Sequence, residues 1–146
     1  MKQVIEIEVP NGKKAVWKDN KVVFEDVKPK LPKTWEEYSK KHLNLNNNLG
    51  EVYSMVNKNT YLGGEQTRAH IAQIKLHLLL CEYRQGWEPD WNNINTSKYC
   101  IVKIGAKYRI INYSGITRFL SFQSRELAEE FLNNFRDLIE QAEDLI

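Results

Sequence analysis

The sequence has little of several things. It has two cysteines, Cys81 and Cys100, in 146 residues, too few for a disulfide framework, and both sit among apolar neighbours as small buried hydrophobes commonly do. It has no long apolar run: the longest stretch of large apolar residues, Leu78-Leu79-Leu80-Cys81, is far short of the roughly 20 residues that span a bilayer. No apolar core of a signal peptide follows Met1-Lys2-Gln3, so the reading is a reducing cytosolic setting with both thiols reduced. Glycine (7) and proline (4) are too scarce for a collagen-like or low-complexity chain. Histidine numbers only three. An excess of either charge is nearly absent as well: Lys plus Arg is 21, Asp plus Glu is 19, and the net of +2 implies no particular partner.

What is present is enough to fold. Apolar types make up 42% and charged types 27%, and a chain of this length suits one domain over 1–146. The charge is unevenly placed: residues 1–60 carry a net +3, residues 61–123 a net +4 and residues 124–146 a net −5. The acidic final stretch reads as the solvated face of a helix.

Patterning gives the elements. Ile5, Ile7 and Val9 alternate with Glu6 and Glu8, a period of two that predicts a strand. Pro10-Asn11-Gly12 ends it, and strands at Ala15 to Lys18 and Lys21 to Glu25 flank an Asp19-Asn20 hairpin turn. That turn pairs Lys18 with Lys21, Trp17 with Val22, Val16 with Val23 and Ala15 with Phe24. It puts Ala15, Trp17, Val22 and Phe24 on one apolar face, which Ile5, Ile7 and Val9 can join, giving a three-strand meander over 1–27. Lys28-Pro29-Lys30-Leu31-Pro32 is a linker. Thr34-Trp35-Glu36-Glu37 matches a capping box, opening a short helix to about His42. Residues 44–64, rich in Asn and Gly, read as irregular or mobile.

Gln66 to Arg84 is the main helix. Ala69, Ala72, Leu76, Leu79, Leu80 and Tyr83 make one apolar stripe and Ile71, Ile74, Leu78 and Cys81 a second, which predicts a central helix buried on two sides. Gly86 is its stop. Strands follow at Tyr99 to Ile104 and Lys107 to Tyr113 around a Gly105-Ala106 turn, with a third at Arg118 to Phe122. Ser124 then caps a long amphipathic helix whose stripe is Leu127, Phe131, Leu132, Phe135, Leu138, Ile139, Ala142, Leu145 and Ile146. The whole is α+β: an N-terminal three-strand antiparallel meander, a central buried helix, a C-terminal three-strand antiparallel meander and a C-terminal helix.

Chemistry-bearing patterns are sparse. His70 and His77 lie seven apart on one helix, about 10 Å along its axis, too far to share a metal. His77 and Cys81 make half a zinc site at best. There is no G-x-S-x-G elbow and no Walker-type loop, and the adjacent acids Glu36-Glu37 and Glu129-Glu130 diverge by about 100° on their helices. No cofactor, metal or catalytic residue is assigned. Two stretches stand out for binding. Trp87-Glu88-Pro89-Asp90-Trp91 places two indoles around a stiff turn, so Trp87, Pro89, Asp90 and Trp91 are the candidate partner-binding residues. Residues 91–123 contain no acid and interleave Lys103, Lys107, Arg109 and Arg118 with Tyr99, Tyr108, Tyr113, Phe119 and Phe122. These four cations are the alternative, a nucleic-acid-binding set. The register splits them between the two sheet faces, Lys103 with Tyr108 on one and Lys107 with Arg109 on the other, so no uniform basic platform results.

The chain resembles a family of short uncharacterised proteins found in phage and mobile-element DNA of gut anaerobes. The resemblance is carried by Ile5 to Ala15, Thr34-Trp35-Glu36-Glu37, Tyr83 to Trp91, Lys98-Tyr99, Phe119-Leu120-Ser121-Phe122 and Phe131 to Ile139. It implies a phage or mobile-element origin, action inside a bacterial cell or in a virion, and a non-enzymatic role. The expectation is an accessory protein that binds a protein partner, with oligomeric state open and no membrane association.

Overall fold

Asp19 and Asn20 both adopt left-handed backbone, φ 48° and 62°, the conformation a two-residue hairpin turn requires of both its central residues. In the computed structural model of the protein, which describes residues 6–42, 64–113 and 117–146, this turn joins β1 (Lys13–Lys18) to β2 (Lys21–Asp26). The register is the one read from the sequence, with Lys18 opposite Lys21, Trp17 opposite Val22, Val16 opposite Val23 and Ala15 opposite Phe24. Gly12 (φ 77°) turns the chain into β1, the Lys13 amide donating to Pro10 O and the Val27 amide to Gly12 O, both at 3.0 Å.

Among the described residues the N-terminal element is a two-strand hairpin and not a three-strand meander. Residues 6–10 form no strand, and Ile5 lies outside the described residues. Ile7 and Val9 are 40% and 45% exposed. Alternation tells which side chains would share a face; it does not supply a neighbouring edge whose amides and carbonyls are available, and a strand needs both.

The chain divides into two compact units, Met1–Lys30 and Leu31–Ile146, and the break falls inside the proline-bearing linker. The larger unit opens with α1 (Trp35–Lys41), capped by Thr34, whose Oγ1 accepts from the Glu37 amide at 3.1 Å. The returning Glu37 carboxylate accepts from the Lys33 amide at 2.8 Å, one residue before the cap. The irregular segment read over 44–64 lies outside the described residues, save Gly64, which opens α2 (Gly64–Arg84).

Along α2 one stripe is buried: Ala69, Ala72, Leu76, Leu79, Leu80 and Tyr83. The second stripe differs from the sequence expectation of a helix buried on two sides. Ile71, Ile74 and Leu78 are half-buried and Cys81 is exposed. The buried stripe meets α3 (Arg125–Gln141), whose N-cap Ser124 Oγ accepts from the Leu127 amide at 3.3 Å. Ala128, Phe131, Leu132, Phe135 and Ile139 face inward. At Phe135 the backbone leaves helical values (φ −124°, ψ 23°), and α3 is kinked there. A single 3-10 turn, Glu143–Leu145, follows. Tyr83 sits edge-on to Phe131 and Phe135, centroids 5.0 and 5.8 Å away, the arrangement in which a ring's positive edge meets a negative face.

The sheet consists of β3 (Tyr99–Ile104), β4 (Lys107–Asn112) and β5 (Ser121–Phe122). Left-handed φ in the β3–β4 turn is confined to Gly105, at 62°. All pairing is antiparallel, but the spatial order is β4-β3-β5, which corrects the expected meander: the third strand pairs with the first, not the second. It is also shorter than the Arg118 to Phe122 read from the sequence. Pairing β5 beside β3 buries Leu120 and Phe122 with the helices. Arg84, at the end of α2, fixes it there by donating to Ser121 O (3.0 Å), Ser121 Oγ (2.6 Å) and Phe119 O (3.1 Å).

Candidate functional site

The Trp87 to Trp91 corner begins where α2 stops. Gln85 and Gly86 take φ of 50° and 84°, and the Trp87 amide donates to Arg84 O at 2.8 Å. Trp87 and Trp91 are both half-buried, as is Pro89, while Asp90 is exposed. Each indole has a cation against it: the Arg84 guanidinium lies 5.8 Å from the Trp87 ring centre and Lys98 Nζ 5.5 Å from that of Trp91. Asp90 Oδ1 accepts from the Asn92 amide at 3.0 Å, so this carboxylate shapes the turn after it.

Lys98 organises the far side of the corner. Its side chain is fully buried, and its ammonium donates to Asn93 O (2.7 Å), Thr96 O (3.1 Å) and Thr96 Oγ1 (3.0 Å). Three donors meet three oxygens, the condition under which a buried ammonium is tolerated. Nothing in the sequence marks Lys98 as different from Lys103 or Lys107; its acceptors are main-chain and hydroxyl oxygens of a loop whose shape the residue itself sets.

The four cations of the acid-free strands are distributed as the register requires. Lys103 lies opposite Tyr108, on the face shared with Ile101 and Ile110, and Arg109 lies opposite Val102 on the other. Lys107, Arg109 and Arg118 are exposed. Lys103 is engaged: its ammonium donates to Glu143 Oε1, and the Tyr108 hydroxyl donates to Glu143 Oε2 at 3.3 Å. The Lys103 hydrogen bond holds the Glu143 carboxyl below the usual carboxylate range. Burial, with the Glu143 charge adding to it, pushes the Tyr108 hydroxyl up to about 12. Arg118 lies over Tyr113, 5.6 Å from the ring centre. Burial raises the Cys100 thiol, against the opposing pull of Arg118, Arg84 and Lys98.

The histidines do not converge. His70 is exposed near the start of α2. His77 stacks on Phe119 with centroids 6.0 Å apart, and its Nε2 is 4.0 Å from Cys81 Sγ. His42 is 3.5 Å from Glu82, whose other oxygen accepts from Lys41. Among the described residues no three His, Cys, Asp or Glu side chains lie close enough together to hold a metal ion, and no helix is long and apolar enough to cross a membrane.

Two surfaces escaped the sequence reading. The first is the hairpin face, which the sequence presents as core: Trp17 is 64% exposed and Phe24 39%. The second is a cleft of about 380 Å³ between the open end of β3 and the end of α3. Its signal, the brevity of β5, is invisible in a stretch whose apolar residues run from Phe119 to Phe122. The chain matches no family model, no curated protein and no solved structure.

Proposed function

We propose that this protein works by binding a protein partner, with no catalytic step of its own, and that the partner covers the Trp17–Phe24 face. The observation that carries this reading is a two-strand hairpin standing with Ala15, Trp17 and Phe24 in solvent. Two strands alone are marginal in water, and an exposed cluster of aromatic and aliphatic side chains is the usual core of a protein contact. Lys13, paired with Asp26 at 2.6 Å, gives that face a polar end. The half-buried Trp87–Trp91 corner supports the reading less, because both its rings already carry a cation. The resemblance to phage and mobile-element proteins, where it holds, supports a partner inside a bacterial cell or in a virion.

A photo-crosslinking residue placed at Trp17 in the full chain, expressed in a bacterial host, tests this. One discrete protein adduct is expected, lost when Phe24→Ser is added and retained with Trp91→Ala. An adduct that forms from position 91 and not from 17 would move the contact to the corner. An adduct removed by nuclease, with affinity falling steeply as salt rises, would replace the reading with nucleic-acid binding through Lys107 and Arg109.

A further inference from the structure

β5 covers β3 only opposite Tyr99 and Cys100. The last main-chain link between the two segments is the Ile101 amide donating to Leu120 O at 2.9 Å. Past it the segment from Leu120 back to Arg118 leaves the β3 edge, and the fork is the 380 Å³ cleft. That volume falls in the range of about 300–1,000 Å³ typical of small-molecule sites. Its walls are apolar: Ile104, Phe119, Leu120, Ile139 and Ile146. Its charged groups are Lys103, Arg118 and Glu143. Glu143 is satisfied by Lys103 and Tyr108, and that pair is neutral as a whole. Arg118 stands on the Tyr113 ring with no carboxylate in ion-pair range among the described residues. The cleft therefore combines an apolar interior with one uncompensated positive charge.

We propose that this cleft binds a small amphipathic monocarboxylate, its unbranched apolar tail lying between Phe119 and Ile139 and its carboxylate on the Arg118 guanidinium. One guanidinium matches one carboxylate in charge and in fork geometry; a doubly charged phosphate would leave a negative charge unpaired against apolar walls. The site is separate from the hairpin face and stands or falls independently of it.

Decanoate titrated into the isotope-labelled full chain, followed by amide and methyl NMR shifts, provides the test. Saturable shifts are expected at Ile104, Phe119, Leu120 and Ile139. Decanol, with the same tail and no charge, and butyrate, with the charge and little tail, are each expected to bind about tenfold or more weakly, the scale of one lost charged hydrogen bond or several buried methylenes. Arg118→Gln is expected to reduce decanoate affinity to that of decanol and leave decanol affinity unchanged, a readout that also shows the variant is folded. Equal affinity for decanol and decanoate, an unchanged affinity in Arg118→Gln, shifts centred outside the cleft, or no saturation below the micelle threshold would each overturn the proposal.

Discussion

A single hydroxyl joins three parts of the larger unit. Tyr83 is fully buried; its OH donates to Pro32 O at 2.9 Å and accepts from Asn134 Nδ2 at 3.1 Å. Tyr83→Phe keeps the ring and its edge-on contacts but strands the buried Pro32 carbonyl and the half-buried Asn134 amide. A loss of about 1–3 kcal/mol is expected in urea denaturation, with Asn134→Ala adding less than its separate effect because the two share one network. Burial raises the Tyr83 hydroxyl from 10.0 to about 12. A group with a raised folded-state value binds its proton more tightly when folded, so its contribution is complete below about pH 10 and is lost as pH climbs towards 12. Tyr108 is raised in the same way. Stability measured from pH 9 to 12 should fall, less steeply in Tyr83→Phe. At this scale the sequence was informative where chemistry is local. Thr34 and Ser124 were legible as caps because a cap needs only a hydroxyl and an amide three residues on. Lys98 and Arg84 were not, since their acceptors come from loops and a strand whose positions no spacing encodes.

Among elements, the hairpin and the β3–β4 pair show what register can and cannot tell. Both turns fix their own pairing, and every cross-strand partner follows from two residues at the bend. Asn20 holds φ 62°, a region glycine enters at no steric cost. Asn20→Gly should slow amide exchange across β1 and β2 by a small factor and leave α2 and α3 unchanged; a uniform change in all elements would contradict two separate units. Long-range neighbours obey no such local code. The placement of β5 beside β3 depends on Arg84, from the helix before the sheet, and on burial of Phe122 against Phe131, from the helix after it. The second stripe of α2 is a related case: periodicity shows two apolar sides, while the depth to which each is buried depends on what packs there.

Across the whole molecule, every member of the apolar core among the described residues belongs to the unit from Leu31 onward: Leu31, Trp35 and Tyr38 are its first residues. A chain beginning at Leu31 should therefore retain a cooperative thermal transition close to that of the full protein. A drop of more than a few degrees would mean the first thirty residues stabilise the rest. The α+β class and the presence of the helices were readable because composition and periodicity integrate over many residues. The candidate sites were less so. The sequence marks Trp17 and Phe24 as core, and only the absence of a third strand over described residues 6–10 turns the same side chains into surface.

The three-way Tyr83 junction also bears on the order in which the protein is made. Synthesis runs from the amino end, so the hairpin is complete once Asp26 has left the ribosome. The core must wait. Pro32 and Tyr83 are both available early, but Phe122, Phe131, Phe135 and Asn134 are the last to emerge, and until they do α2 carries its apolar stripe without a cover. Of the two units, the nascent chain exposes for longest the one that ends up most deeply buried.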